Sequence, residues 1–113
     1  MKKNKISKNW INKQRRDIYV RRSKVEGYRS RAVYKLQEID QKFRIFKNGM
    51  SVIDLGAAPG SWSQYALKNV KNGKIVSIDC KDFEKIGNIH QIIGDFTDDS
   101  YKKEIIDYFG VKV

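Results

Sequence analysis

Residues 51–65, Ser-Val-Ile-Asp-Leu-Gly-Ala-Ala-Pro-Gly-Ser-Trp-Ser-Gln-Tyr, set a glycine turn directly behind a short apolar run. Gly56 and Gly60 bracket Ala57, Ala58 and Pro59, small residues that let a ligand come close to the backbone. Val52, Ile53 and Leu55 read as a buried parallel strand. Pro59 fixes φ just before Gly60-Ser61-Trp62, where helical spacing begins with Trp62, Tyr65, Ala66 and Val70. A strand, a glycine turn and a helix N-terminus make the edge of a nucleotide site, because free N–H groups point beyond the strand's C-terminal end. The dinucleotide fingerprint GxGxxG and the P-loop GxxxxGK[ST] are both absent. Without a lysine or a third glycine at the turn, a nucleoside carrying little phosphate fits better than a pyrophosphate. The rival reading is a plain structural βα turn.

Two carboxylates extend the nucleoside reading. Asp79 ends the apolar run Ile75-Val-Ser-Ile, about 20 residues after the glycine turn, where an acid accepts hydrogen bonds from both ribose hydroxyls. Its bland alternative is a solvated strand-end acid. Asp95 follows Ile89-His-Gln-Ile-Ile-Gly94 and is able to accept from an exocyclic amine, with Phe96 as an apolar wall. Lys35 lies roughly 40° from Ile39 on a helical wheel turning about 100° per residue, so it borders a buried stripe. Position alone assigns it no more than a snorkelling stem. His90 has no cysteine or carboxylate cluster around it, and Cys80 has no histidine near it in sequence; neither a metal site nor a thiol nucleophile is expected.

These residues need an alternating α/β frame to hold them. The apolar steps Val33, Leu36, Ile39 and Phe43 predict a helix from Arg31 to Phe43, with Ser30 as its cap. Phe46–Gly49 is a turn before the first strand, and Lys71–Lys74 ends the following helix before the second. The third strand, residues 89–95, leads through Thr97-Asp-Asp-Ser100 into a helix with acids in its first turn. Its buried stripe is Tyr101, Ile105 and Phe109, Gly110 stops it, and Val111–Val113 open a fourth strand. The fold class expected is α/β with parallel strands.

Charge divides the chain more sharply than its net +11 conveys. Residues 1–48 hold 16 Lys/Arg against 4 Asp/Glu, a net +12, while 49–113 hold 8 against 9, a net −1. A basic end beside a neutral nucleotide-site half points to a polyanion held by one end. Residues 10–25 interleave Trp10, Ile11, Ile18, Tyr19, Val20 and Val25 with Lys13, Arg15, Arg16, Arg21, Arg22 and Lys24. That mixture suits phosphate contacts and base stacking, against the alternative of a solvated helix whose aromatics pack on the domain. Residues 1–9 are expected to be mobile, with a mitochondrial targeting segment as a weak rival. No apolar run approaches membrane-spanning length, and the lone Cys80 fits a reducing compartment. A cytoplasmic, monomeric protein free of membrane and metal is expected, with residues 1–48 as the RNA-binding segment and 49–113 as the nucleotide-site part.

Asp54-Leu-Gly-Ala-Ala-Pro-Gly-Ser-Trp-Ser-Gln64, preceded by Glu26-Gly-Tyr-Arg-Ser-Arg-Ala-Val-Tyr-Lys-Leu36, closely resembles the FtsJ/RrmJ family. The resemblance runs from about Trp10 to the end. It implies a Rossmann-like S-adenosylmethionine-dependent methyltransferase fold, here ending after the third strand and following helix. The implied activity is ribose 2′-O-methylation of RNA, with S-adenosylmethionine as cofactor and ribosomal RNA of the large subunit as partner. The unmodified Gly in Asp-Leu-Gly-Ala-Ala favours a bacterial-type ribosomal target, a uridine of 23S RNA, over transfer RNA. Residue by residue, Gly60 and Trp62 are implied to contact the methionine part, Asp79 the ribose and Asp95 the adenine, while Lys35 matches the first lysine of a Lys-Asp-Lys-Glu catalytic tetrad. The other three members fall beyond Val113, and in the family the first strand pairs with both the second and the fourth. The 113-residue chain is therefore expected to be marginally stable and inactive alone. A non-enzymatic RNA-binding remnant is the alternative from another class.

Overall fold

In the computed structural model the backbone is described for residues 2–110 and side chains for 7–110. The expected opening of a fourth strand at residues 111–113 lies outside the described residues. Four helices and three strands follow one another as α1 (Lys2–Glu26), α2 (Val33–Phe43), β1 (Ser51–Leu55), α3 (Ser61–Asn69), β2 (Lys74–Asp79), β3 (His90–Ile93) and α4 (Asp99–Phe109). All strands are parallel, in the order β1-β2-β3. The α/β class predicted from the alternation of short apolar runs with helical stripes is the one observed.

Side-chain alternation gives the sheet two different faces. Toward α3, Ile75 packs with Ala57, Ala66, Phe83, Ile86 and Ile89, with Val52 at the margin. Toward α4, Val76, Ile78 and Ile92 meet Tyr101, Ile105, Tyr108 and Phe109. A third cluster, Val33, Tyr34, Leu36 and Tyr65, fastens α2 to α3. Register puts Ile53 beside Val76 and Leu55 beside Ile78 on the α4 face. Yet α4 does not reach β1, and Ile53 and Leu55 stay 46% and 55% exposed.

Several helix boundaries differ from expectation. Residues 2–9 form the start of α1, as no Gly or Pro interrupts the chain before Gly27. Ser30 does not cap α2: the N-cap is Ala32, with no side-chain hydrogen bond, and the Ser30 hydroxyl lies 2.7 Å from that of Ser61 instead. Phe43, placed by periodicity on the buried stripe, is 65% exposed at the end of α2. The start of α4 follows the prediction: Asp98 caps it by accepting from the Ser100 N–H, Asp99 sits in its first turn, and Gly110 ends it at φ 71°.

Helix α1 is a 25-residue rod that gives the molecule its 59 × 28 × 25 Å extents. It joins the body near its C-terminal end. Tyr19 stacks on Tyr34 at 5.3 Å, the Arg22 guanidinium lies 4.4 Å over the same ring, and Glu26 accepts from the Tyr34 hydroxyl at 2.9 Å. Burial, then Glu26, pushes the Tyr34 phenol up to about 12. The two readings of this segment thus divide between residues: Tyr19 packs on the body, while Trp10 is 62% exposed.

Candidate functional site

The C-terminal ends of the three strands converge on one rim. The Gly56 and Ala57 N–H groups both donate to the Ile78 carbonyl, drawing the glycine turn over the end of β2. At that end the two Asp79 carboxylate oxygens accept from the Ala58 and Lys81 N–H groups, each at 2.9 Å. The Gly94 N–H donates to the Asp79 carbonyl at 2.8 Å, which sets Asp95 next to it. Gly60, Asp79 and Asp95 therefore share one end of the sheet.

Each acid is held differently. The Lys81 and Ala58 N–H groups lower the Asp79 pKa, so it is ionised at neutral pH. Each of its oxygens keeps a second lone pair for an incoming hydroxyl. Asp95 is exposed, and one oxygen accepts from the N–H and hydroxyl of Thr97, which lowers its pKa. Phe96 beside it is 56% exposed. Two cavities flank Ala58-Pro59: one of about 310 Å³, bordered by Asp54, Gly56 and Trp62, and one of about 530 Å³, bordered by Arg29, Lys81 and Phe83.

Gly60 is required by its surroundings. It begins α3 at φ +117°, and a Cβ there would lie 2.5 Å from Ile86 Cδ1 and 3.0 Å from Arg29 Nη1. Gly60→Ala is expected to cost about 1–3 kcal/mol, from left-handed backbone strain and overpacking together. Urea denaturation measures it, and an unchanged midpoint would contradict the close approach of Ile86 and Arg29 to Gly60.

Trp62 and Lys35 meet through one atom. The Ala32 carbonyl accepts from the Trp62 indole N–H at 2.8 Å and from the Lys35 N–H at 3.3 Å. Lys35 itself is exposed, and among the described residues no carboxylate lies within ion-pair distance of its amine.

Sequence reading missed Asp54. It stands in β1 on the face toward α3 and accepts from the Ser63 hydroxyl at 2.6 Å; Ser63 in turn lies 2.5 Å from the buried Ser77 hydroxyl. A carboxylate inside an apolar strand was the available signal. Burial raises the Asp54 pKa, with the Asp79 charge adding to it and the Ser63 hydroxyl opposing. Because the folded-state pKa lies above the unfolded one, native stability from this group falls as pH rises from the ordinary carboxylate range through the raised value. Asp54→Asn keeps an acceptor for Ser63 and removes the charge. Its melting temperature is expected to exceed that of the parent at pH 7 and to converge with it near pH 3; parallel curves across that range would refute the assignment.

No helix is long and apolar enough to cross a membrane, and no His/Cys/Asp/Glu cluster suits a metal, among the described residues. The sequence profile of FtsJ-like methyltransferases matches residues 28–113. The chain is 66% identical over 113 residues to the "Ribosomal RNA large subunit methyltransferase E" of Pelagibacter ubique, covering all of this chain and 56% of that one. It is 47% identical over 107 residues to the protein of the same name from Legionella pneumophila strain Corby, covering 94% and 52%. The chain spans about half the length of the curated relatives it matches. The crystal structure of a ribosomal RNA methyltransferase from Plasmodium falciparum superposes with a TM-score of 0.62 at 38% identity, covering 70% of this chain and 49% of the other.

Proposed function

Since this chain belongs to the FtsJ-like methyltransferase family, we propose that it binds S-adenosylmethionine and serves the 2′-O-ribose methylation of large-subunit ribosomal RNA. The observation that carries the reading is the single rim shared by the glycine turn, Asp79 and Asp95. S-Adenosylmethionine, when bound, supplies an electrophilic methyl group on a sulfonium.

The residues of this chain fit such a ligand. Asp79, fixed by two N–H groups, offers its remaining lone pairs to the two ribose hydroxyls. Asp95 accepts from the adenine amine beside Phe96. At the methionine end, α3 begins at Gly60 with no side-chain cap, so the N–H groups of its first turn are suited to a carboxylate. Asp54, on the neighbouring cavity, is suited to the ammonium. Trp62 walls that cavity and, through the Ala32 carbonyl, holds the N-terminal turn of α2 that presents Lys35. Lys35 is proposed as the amine that lies by the ribose hydroxyl of the RNA and takes part in removing its proton.

The RNA itself is proposed to lie along α1, whose described cations Lys8, Lys13, Arg15, Arg16, Arg21 and Lys24 are exposed. Calorimetry of the purified chain with S-adenosylmethionine, and separately with an RNA oligonucleotide, tests both halves. Heat with the donor supports the reading. RNA binding without donor heat favours a non-enzymatic RNA-binding protein.

A further inference from the structure

The connector between α1 and α2 is tied to the first turn of α3 and, through Arg29, to the loop before it. The Gln64 side-chain amide accepts from the Arg29 N–H at 2.9 Å and donates to the Gly27 carbonyl at 3.1 Å. Ser30 meets Ser61, and Ala32 accepts from Trp62. The Arg29 guanidinium reaches further. Its Nη1 donates to the Pro59 carbonyl at 2.9 Å and the Glu84 carbonyl at 2.6 Å, and its Nη2 to the Lys85 carbonyl at 2.9 Å.

Three carbonyls from two separate loops thus converge on one cation. Facing one another without it, they would present like partial charges. A guanidinium satisfies them because its donors are fixed in a planar fork; an ammonium carries its three donors on a single nitrogen and cannot span the same spread. Pro59 precedes the Gly60 start of α3, and Glu84-Lys85 belong to the β2–β3 loop, so Arg29 ties together two segments that line the cavity of about 530 Å³ beside Ala58. Its Nη1 also lies 3.0 Å from where a Cβ on Gly60 would stand. Although Arg29 sits in the basic half of the sequence, its charge is turned onto the protein's own backbone rather than outward.

We propose that Arg29 is a positioning residue for the methyl-donor pocket and not a phosphate contact, an inference that rests on the donor reading above. It sets the distance between the Pro59-Gly60 turn and the Glu84-Lys85 loop, and through them the width of the cleft next to Asp79.

The test compares the parent chain with Arg29→Lys and Arg29→Ala by calorimetry with S-adenosylmethionine and by filter binding with a single-stranded oligouridine. Losing these charge-assisted bonds should weaken donor binding about tenfold or more in both variants. Oligouridine affinity should hold within about twofold, because no phosphate contact is lost. Millimolar guanidinium chloride should restore donor binding to Arg29→Ala where sodium chloride of equal ionic strength does not. Should the alanine variant fail to fold, the lysine variant, which keeps charge and stem, decides. Hydrogen exchange gives a donor-independent reading: amides of residues 58–62 and 84–87 should exchange faster in the variants. Donor affinity equal to the parent's, an equal loss for oligouridine, or unchanged exchange at those loops would each overturn the proposal. A parent chain that binds no donor counts against the function proposed above, while the exchange data still judge the clamp.

Discussion

Replacing Asp79 by alanine is expected to abolish measurable binding of S-adenosylmethionine while leaving RNA affinity intact. Two hydrogen bonds from ribose hydroxyls to an ionised carboxylate are worth about 1.5–3 kcal/mol each. Their joint loss corresponds to roughly a hundredfold to ten-thousandfold in affinity at 1.36 kcal/mol per decade. The same substitution releases the Ala58 and Lys81 N–H groups that the carboxylate now holds at 2.9 Å, so the turn over β2 loosens as well. Asp79→Asn is no mild control here. An amide has one oxygen, and its NH₂ must then face one of those two N–H donors. The asparagine variant is therefore expected to lie nearer to alanine than to the parent. Calorimetry checks it: donor affinity within about threefold of the parent for Asp79→Ala, well under the loss of even one such bond, would remove Asp79 from the site.

Much of this arrangement was legible because it depends on short-range pattern. The run Ser51–Leu55 with Gly56 behind it, and Ile75–Ile78 ending in Asp79, announce strand ends by composition alone, and the structure places them within one or two residues. What the sequence concealed were interactions across long separations. Ser30 has the chemistry of a cap, yet its hydroxyl faces Ser61, 31 residues away, since the connector runs along the first turn of α3. Nothing in the basic sequence 21–35 separates Arg29 from its neighbours; only the folded position of the Glu84 and Lys85 carbonyls, more than 50 residues on, does so. Asp54 is an intermediate case. Its type is out of place in an apolar strand, but its partners Ser63 and Ser77 look like ordinary surface serines until α3 lies on the sheet. The stripe on α4 shows the opposite error: Tyr101, Ile105 and Phe109 do face the sheet, but none is fully buried, because this layer covers only β2 and β3.

That uncovered strip leads to the second large effect. Among the described residues β1 pairs only with β2, so the other side of its backbone has no ladder partner, and beside it Ile53 and Leu55 are about half exposed. A bare parallel edge flanked by apolar side chains is a template for another strand. The 113-residue chain is expected to self-associate with rising concentration in light scattering, and to remain monomeric only where that edge is covered. Leu55→Lys separates this explanation from general instability. If the strip is open, the lysine head stays in water, the melting temperature hardly moves and scattering falls. If another layer packs there, the same substitution buries an unpaired charge beside Ile78, and unfolding should come about 2–5 kcal/mol sooner. Scattering that persists in Leu55→Lys, with its stability unchanged, would mean that chains associate through some other surface.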